Sequence, residues 1–226
     1  MGDAIGEILS PAIGVAISPV PIIAVILILF SKRARSNGPA FLAGWVLALV
    51  TVCTVGMLIG SAANIGTSSG PSKGAAVLRI VLGALLFFAA FRQWKKRPKE
   101  DEEPQMPKWM AGIEEFGAVR SFIMAVSLSA LNPKNLVLTL AAAMSITQAT
   151  QESLSGADPW ITMIIFVIIA SSTVAAAVFT YLLGGERAEK VLTSWKAWLT
   201  ANNSTVMCVL LLVFGIVVLG KGISAL

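Results

Sequence analysis

The chain has 226 residues, 56% hydrophobic and 13% charged, with a mean hydropathy of +0.82 and a formal net charge of +5. A soluble domain carries about 25% charged residues, so these apolar runs exceed what a soluble core covers; histidine is absent, which excludes His-based catalysis, metal ligation and pH switching. Cys53 and Cys208 lie inside apolar segments far from any CxxC spacing and read as small buried hydrophobes, and the positive charge falls in short loops, a membrane-topology pattern and not a nucleic-acid footprint.

About 20 residues of helix cross the hydrocarbon, and a helix satisfies its own backbone there. Spans are predicted at 5–30, 39–62, 74–93, 118–147, 158–183 and 203–224, giving an all-α polytopic membrane protein with six transmembrane helices. The first span carries Asp3 and Glu7 at its amino end and no Lys or Arg, so it reads as an uncleaved helix and not a signal peptide. Its middle holds Ser18-Pro19-Val20-Pro21, and it is longer than one crossing needs. Gly38-Pro39 opens the second span, with proline expected in the first turn. Arg79 lies near the outer end of the third span, where a snorkelling role is expected.

The third loop is the longest. It runs basic, then acidic from Lys99 to Glu103, and then amphipathic, with Trp109, Met110, Ile113 and Phe116 on one helical face. The fourth span is again overlong and contains Leu131-Asn132-Pro133-Lys134. Asp158-Pro159 opens the fifth span, and Val191, Leu192, Trp195, Trp198 and Leu199 form a second stripe before the sixth. Both stripes are expected to be helices lying in the headgroup layer, anchored by tryptophan.

Thirteen of the 17 basic residues fall in alternate loops, after spans one, three and five. The positive-inside rule then makes those loops cytoplasmic and both termini extracytoplasmic. Pro21 and Pro133 lie 112 residues apart (133 − 21), and Pro39 and Pro159 lie 120 apart (159 − 39). Two halves of three spans each, an odd number, must be inserted with opposite topology, an inverted repeat. The organisation expected is a first repeat over 1–93, a cytoplasmic linker with an interfacial helix over 94–117, and a second repeat over 118–226.

Broken helices near the midplane free N–H and C=O groups for ligands. Lys134 lies about fourteen residues from either end of its span, some 20 Å of helix, which makes snorkelling hard. It either pairs with nearby carbonyls or lines a polar cavity; the second reading is preferred, with Asn132, Pro133 and Asn135 beside it. Ser18, Pro19, Pro21 and Ser129 complete the candidate binding residues, with Ser127 and Thr139 as further hydroxyls. All twelve acidic residues sit at span ends or in loops, so a ligand is expected to supply the negative charge as carboxylate, phosphate or sulfate.

The proline-containing first span, the loop Ser31-Lys32-Arg33-Ala34-Arg35 and the Asn132-Pro133-Lys134 element together resemble the lysine-exporter (LysE) superfamily. Such exporters usually show Pro-Gly-Pro in span one, where this chain has Pro19-Val20-Pro21. The long charged central loop and the stripe before the last span are more similar to the GAP or Sap-like branch, sulfolipid- and peptidoglycolipid-addressing proteins of mycobacteria and other actinobacteria. That resemblance implies outward movement of envelope glycolipids across the inner membrane. The leading expectation is an exporter or flippase for an anionic lipid or glycolipid, or its precursor, with membrane lipids as partners. Export of a small polar metabolite such as an amino acid is the alternative. A non-transporting accessory protein, held in an envelope-synthesis complex or as a homo-oligomer, is the third. No enzyme activity, cofactor, metal or nucleic-acid partner is expected.

Overall fold

The computed structural model describes residues 2–62, 73–95, 112–150 and 157–224. Among them the chain forms eight α-helices: α1 (Gly2–Ala16), α2 (Pro19–Leu29), α3 (Ala34–Ala62), α4 (Lys73–Lys95), α5 (Ala118–Val126), α6 (Pro133–Thr150), α7 (Asp158–Leu183) and α8 (Gly185–Ile223). Helices α3, α7 and α8 are long and apolar enough to cross a membrane, and counting each bent pair, α1–α2 and α5–α6, as one span raises that number to five.

The apolar sequence explains which helix sits where. Helix α2 is hydrophobic on all sides and buries Pro19, Pro21 and every residue from Ile22 to Leu29, so it forms the centre of the bundle. Helix α3 buries Phe41, Trp45, Leu49, Cys53 and Met57 on one stripe and exposes Leu47, Val55, Leu58 and Ile59 on another. Such an outward apolar face suits lipid and would be penalised in water. Cys53 and Cys208 are buried and unpaired.

Packing follows a reciprocal pattern. Helix α3 runs along α5 and α6, while α7 runs along α1 and α2; α4 pairs with α8, and α1 with α6. At Gly44 of α3 a Cβ would stand 2.5 Å from the carbonyl oxygen of Phe122, a backbone atom that cannot swing away. Only glycine permits that approach, the usual way membrane helices gain close packing.

Three expectations are corrected. The stripe before the last span is not a separate interfacial helix, because α8 is continuous for 39 residues, about 58 Å against a hydrocarbon layer of about 30 Å. Its stripe divides: Leu192 and Leu199 are buried, whereas Val191, Trp195 and Trp198 are exposed. In the central linker, Trp109 and Met110 lie outside the described residues, but Ile113, in a short 3-10 turn (Ile113–Glu115), is fully buried and faces α2. It packs on protein and not on headgroups. Pro39 does not open a helix either: α3 begins at Ala34, because the buried Asn37 amide donates to Ser31 Oγ (3.0 Å) and to the carbonyl of Phe116 (2.6 Å), which fixes an extra first turn. Pro159 does stand in the first turn of its helix.

Candidate functional site

The two bent pairs turn by 51° between α1 and α2 and by 66° between α5 and α6. Each second helix starts on a proline, Pro19 in α2 and Pro133 in α6, where the missing N–H has no intrahelical partner to lose. Pro19, and not Pro21, therefore holds the same place in its helix as Pro133, 114 residues away (133 − 19). Asn132 acts as the N-cap of α6: its Oδ1 accepts from the Lys134 backbone N–H at 3.1 Å, and its carbonyl accepts from Leu136 N–H at 2.9 Å. Helix α5 reaches this point through a π-helical turn, Ser127–Leu131, a feature often found where helices serve function.

The breaks meet across the bundle. Lys134 is 4% exposed, and its Nζ donates at 2.8 Å to the carbonyl of Gly14 in the last turn of α1. The last four carbonyls of a helix lack intrahelical donors and form the negative end of its dipole, so a lysine suits that position. Thr173 of α7 donates to the carbonyl of Ala16 at 2.6 Å, satisfying a second of these orphans. Ser18 Oγ donates to Asn135 Oδ1 at 2.8 Å, and Asn135 Nδ2 donates to the carbonyl of Leu128 in the π turn at 3.2 Å. Two helix ends from distant parts of the chain thus share one hydrogen-bonded cluster.

Of the expected site residues, Lys134, Asn132, Pro133, Asn135, Ser18 and Pro19 are brought to this cluster. Pro21 lies in the first turn of α2, buried in the core. Ser129 and Thr139 are buried with no hydrogen-bond partner among the described residues. Ser127 spends its hydroxyl on the carbonyl of Ile123 at 2.9 Å. The side chain of Arg79 lies outside the described residues. Lys134 has taken a carbonyl, as one of the two sequence readings allowed, and among the described residues it has no acidic partner.

Sequence reasoning missed Gly14, Ala16 and Leu128, whose backbone oxygens carry no side-chain signature, and Thr173. The glycine at 14 was a usable signal: a Cβ there would overlap the Phe214 ring and the Leu138 side chain, so α1, α6 and α8 close on one point. The cluster is buried at its centre but borders the surface. Leu131 is 75% exposed and Pro133 is exposed, directly beside half-buried Asn132 and buried Lys134. A buried ammonium held by one neutral carbonyl, with no acidic partner among the described residues, is suited to an anion. Among the described residues no group of three or more Cys, Asp or Glu could hold a metal ion.

Residues 8–224 match the family model described as SfLAP: Sap, sulfolipid-1-addressing protein. No curated protein and no solved structure matches the chain.

Proposed function

The chain belongs to the SfLAP family, the Sap, sulfolipid-1-addressing proteins, and on that premise we propose that it is an inner-membrane exporter or flippase for an anionic envelope lipid or glycolipid, or its precursor. The observation that carries this reading is the bond from Lys134 to the Gly14 carbonyl where both helix breaks meet. A carbonyl is a weaker partner for an ammonium than a phosphate or sulfate. An arriving anionic headgroup displaces it, and the tie between α1 and α6 is released as the ligand binds. Binding and movement are then one event, since the ligand's preference for the untied form is what shifts the population.

The six-span inverted arrangement belongs to this proposal. The 23 residues of α4 make about 34 Å of helix and supply the sixth span. The reciprocal pairing of α3 with α5–α6 and of α7 with α1–α2 is what two inverted halves would produce. Lys221 pairs with Glu7, so the carboxyl end of α8 lies beside the amino end of α1. The positive-inside rule puts that end outside and the basic loops in the cytoplasm. The lysine-exporter likeness of Pro19–Pro21 and Asn132–Lys134 points the same way. The proposal is of a carrier and not an enzyme; the sequence holds no histidine, the usual acid–base residue.

A second reading is favoured by one observation: Lys134 is almost fully buried, which suits a small carboxylate better than a lipid. Exposure of Leu131 and Pro133 at the break speaks for the lipid. Proteoliposomes carrying headgroup-labelled phosphatidylglycerol decide between them. The lipid reading expects the wild type to accelerate its translocation and Lys134→Met to abolish the gain. Amino-acid efflux without lipid movement would establish the second reading in its place.

A further inference from the structure

Two arginines stand at the foot of α5. Arg120 lies in the first turn of α5 and is exposed. The Arg33 guanidinium, from the loop after α2, lies 3.9 Å from where a Cβ would stand on Gly117, the N-cap of α5. Neither arginine is ion-paired among the described residues, although exposed Glu115 lies two residues before Gly117. Above them Val119 (72% exposed), Ile123 (56%) and Leu131 (75%) line one flank, spaced by fours with Ser127 between. Residues four apart share a face of a helix, and the π turn Ser127–Leu131 carries the row on to the second break. Helix α5 packs along α3, while α2, the counterpart of the α6 that lies against α1, barely touches it. The described helices leave the flank uncovered at Val119, Ile123 and Leu131.

The flank joins two anion-binding points by an apolar path. Arg33 and Arg120 stand at the basic-loop end, and Lys134 stands past Leu131 at the second break. Planar guanidinium forks match the oxygens of phosphate and sulfate, and an exposed row of Val, Ile and Leu matches acyl chains. We infer that the outer flank of α5 is a docking site for a lipid with a phosphate- or sulfate-bearing headgroup, held by Arg33 and Arg120 before it passes Leu131 to Lys134. The inference rests on the export reading for its direction, but the docking site stands or falls by its own test.

Benzoylphenylalanine placed at Ile123, or at Ile168 on the exposed face of α7 as control, reports which lipids lie against each position. The protein is reconstituted in nanodiscs of phosphatidylcholine with a minority of phosphatidylglycerol, and the adducts are identified by mass spectrometry. Adducts at Ile123 should be enriched in phosphatidylglycerol over those at Ile168 by about three- to tenfold, the scale of one or two charge-assisted bonds at a wet surface. The double variant Arg33→Gln with Arg120→Gln should remove the enrichment, and Lys134→Met should leave it. Equal composition at the two positions, or enrichment that survives the double variant, would overturn the docking site. If enrichment is absent while Lys134→Met still stops translocation, the docking site alone fails and the export reading stands.

Discussion

At the first break Ser18 precedes Pro19, and at the second Asn132 precedes Pro133; each proline opens a helix, yet the two polar residues before them act differently. Asn132 caps its own helix through the Lys134 N–H, whereas Ser18 makes no cap and donates across the bundle to Asn135. The first break joins its helices through two residues, Ile17 and Ser18, whereas the second unwinds through a π turn and bends further. The first ends a helix whose carbonyls are taken by Lys134 and Thr173; the second begins a helix and supplies the cation. One break is thus the acceptor side and the other the donor side of the same cluster. Two breaks that each open a helix on a proline can still carry opposite chemistry.

The largest effect expected from breaking this arrangement is on the acceptor side. Gly14→Val would drive side-chain atoms into Phe214 and Leu138. Overpacking of this kind costs about 1–3 kcal/mol or more, so thermal unfolding in detergent should show a marked loss of stability. On the donor side stability and function should separate. Lys134→Met leaves the Gly14 carbonyl without this donor, at a cost of about 1–3 kcal/mol, set against the desolvation cost of the buried cation it removes. Its melting point should fall less than that of Gly14→Val while anionic-lipid retention is lost.

Caps and cross-bonds give smaller effects. Asn132→Ala should cost about 1 kcal/mol through loss of the α6 cap. Ser18→Ala and Asn135→Ala should each destabilise, and their double-mutant cycle should show a coupling of about 0.5–1.5 kcal/mol. The pair Ser18→Ala with Asn132→Ala should be nearly additive, since no hydrogen bond joins the two side chains. If those couplings were reversed, the donor and acceptor assignment would be wrong.

Hydrophobic length made the membrane-length helices readable, and Pro133 was legible as a break inside an overlong apolar run; the N-cap role of Asn132 was not, because Asn-Pro also marks turns. The distance of Lys134 from both span ends was enough to predict its burial. Its partner was not legible: the Gly14 carbonyl lies 120 residues away and is backbone. The π turn has no sequence signature either, and it moved Ser127 away from the cluster. Pro39 misled because a first-turn proline is only a preference, and here the tertiary bond from Asn37 to Phe116 extends the helix backwards past it. The continuity of α8 was available in the sequence, since no glycine or proline occurs from Glu186 to Phe214.

The central claim is that Lys134 exchanges the Gly14 carbonyl for an anionic lipid headgroup. Native mass spectra of the wild type and Lys134→Met, purified alike in mild detergent, test it most directly. The account predicts an anionic lipid or glycolipid retained by the wild type and absent from the variant, with both proteins folded. The same phospholipids on both, in the same proportions, would contradict it.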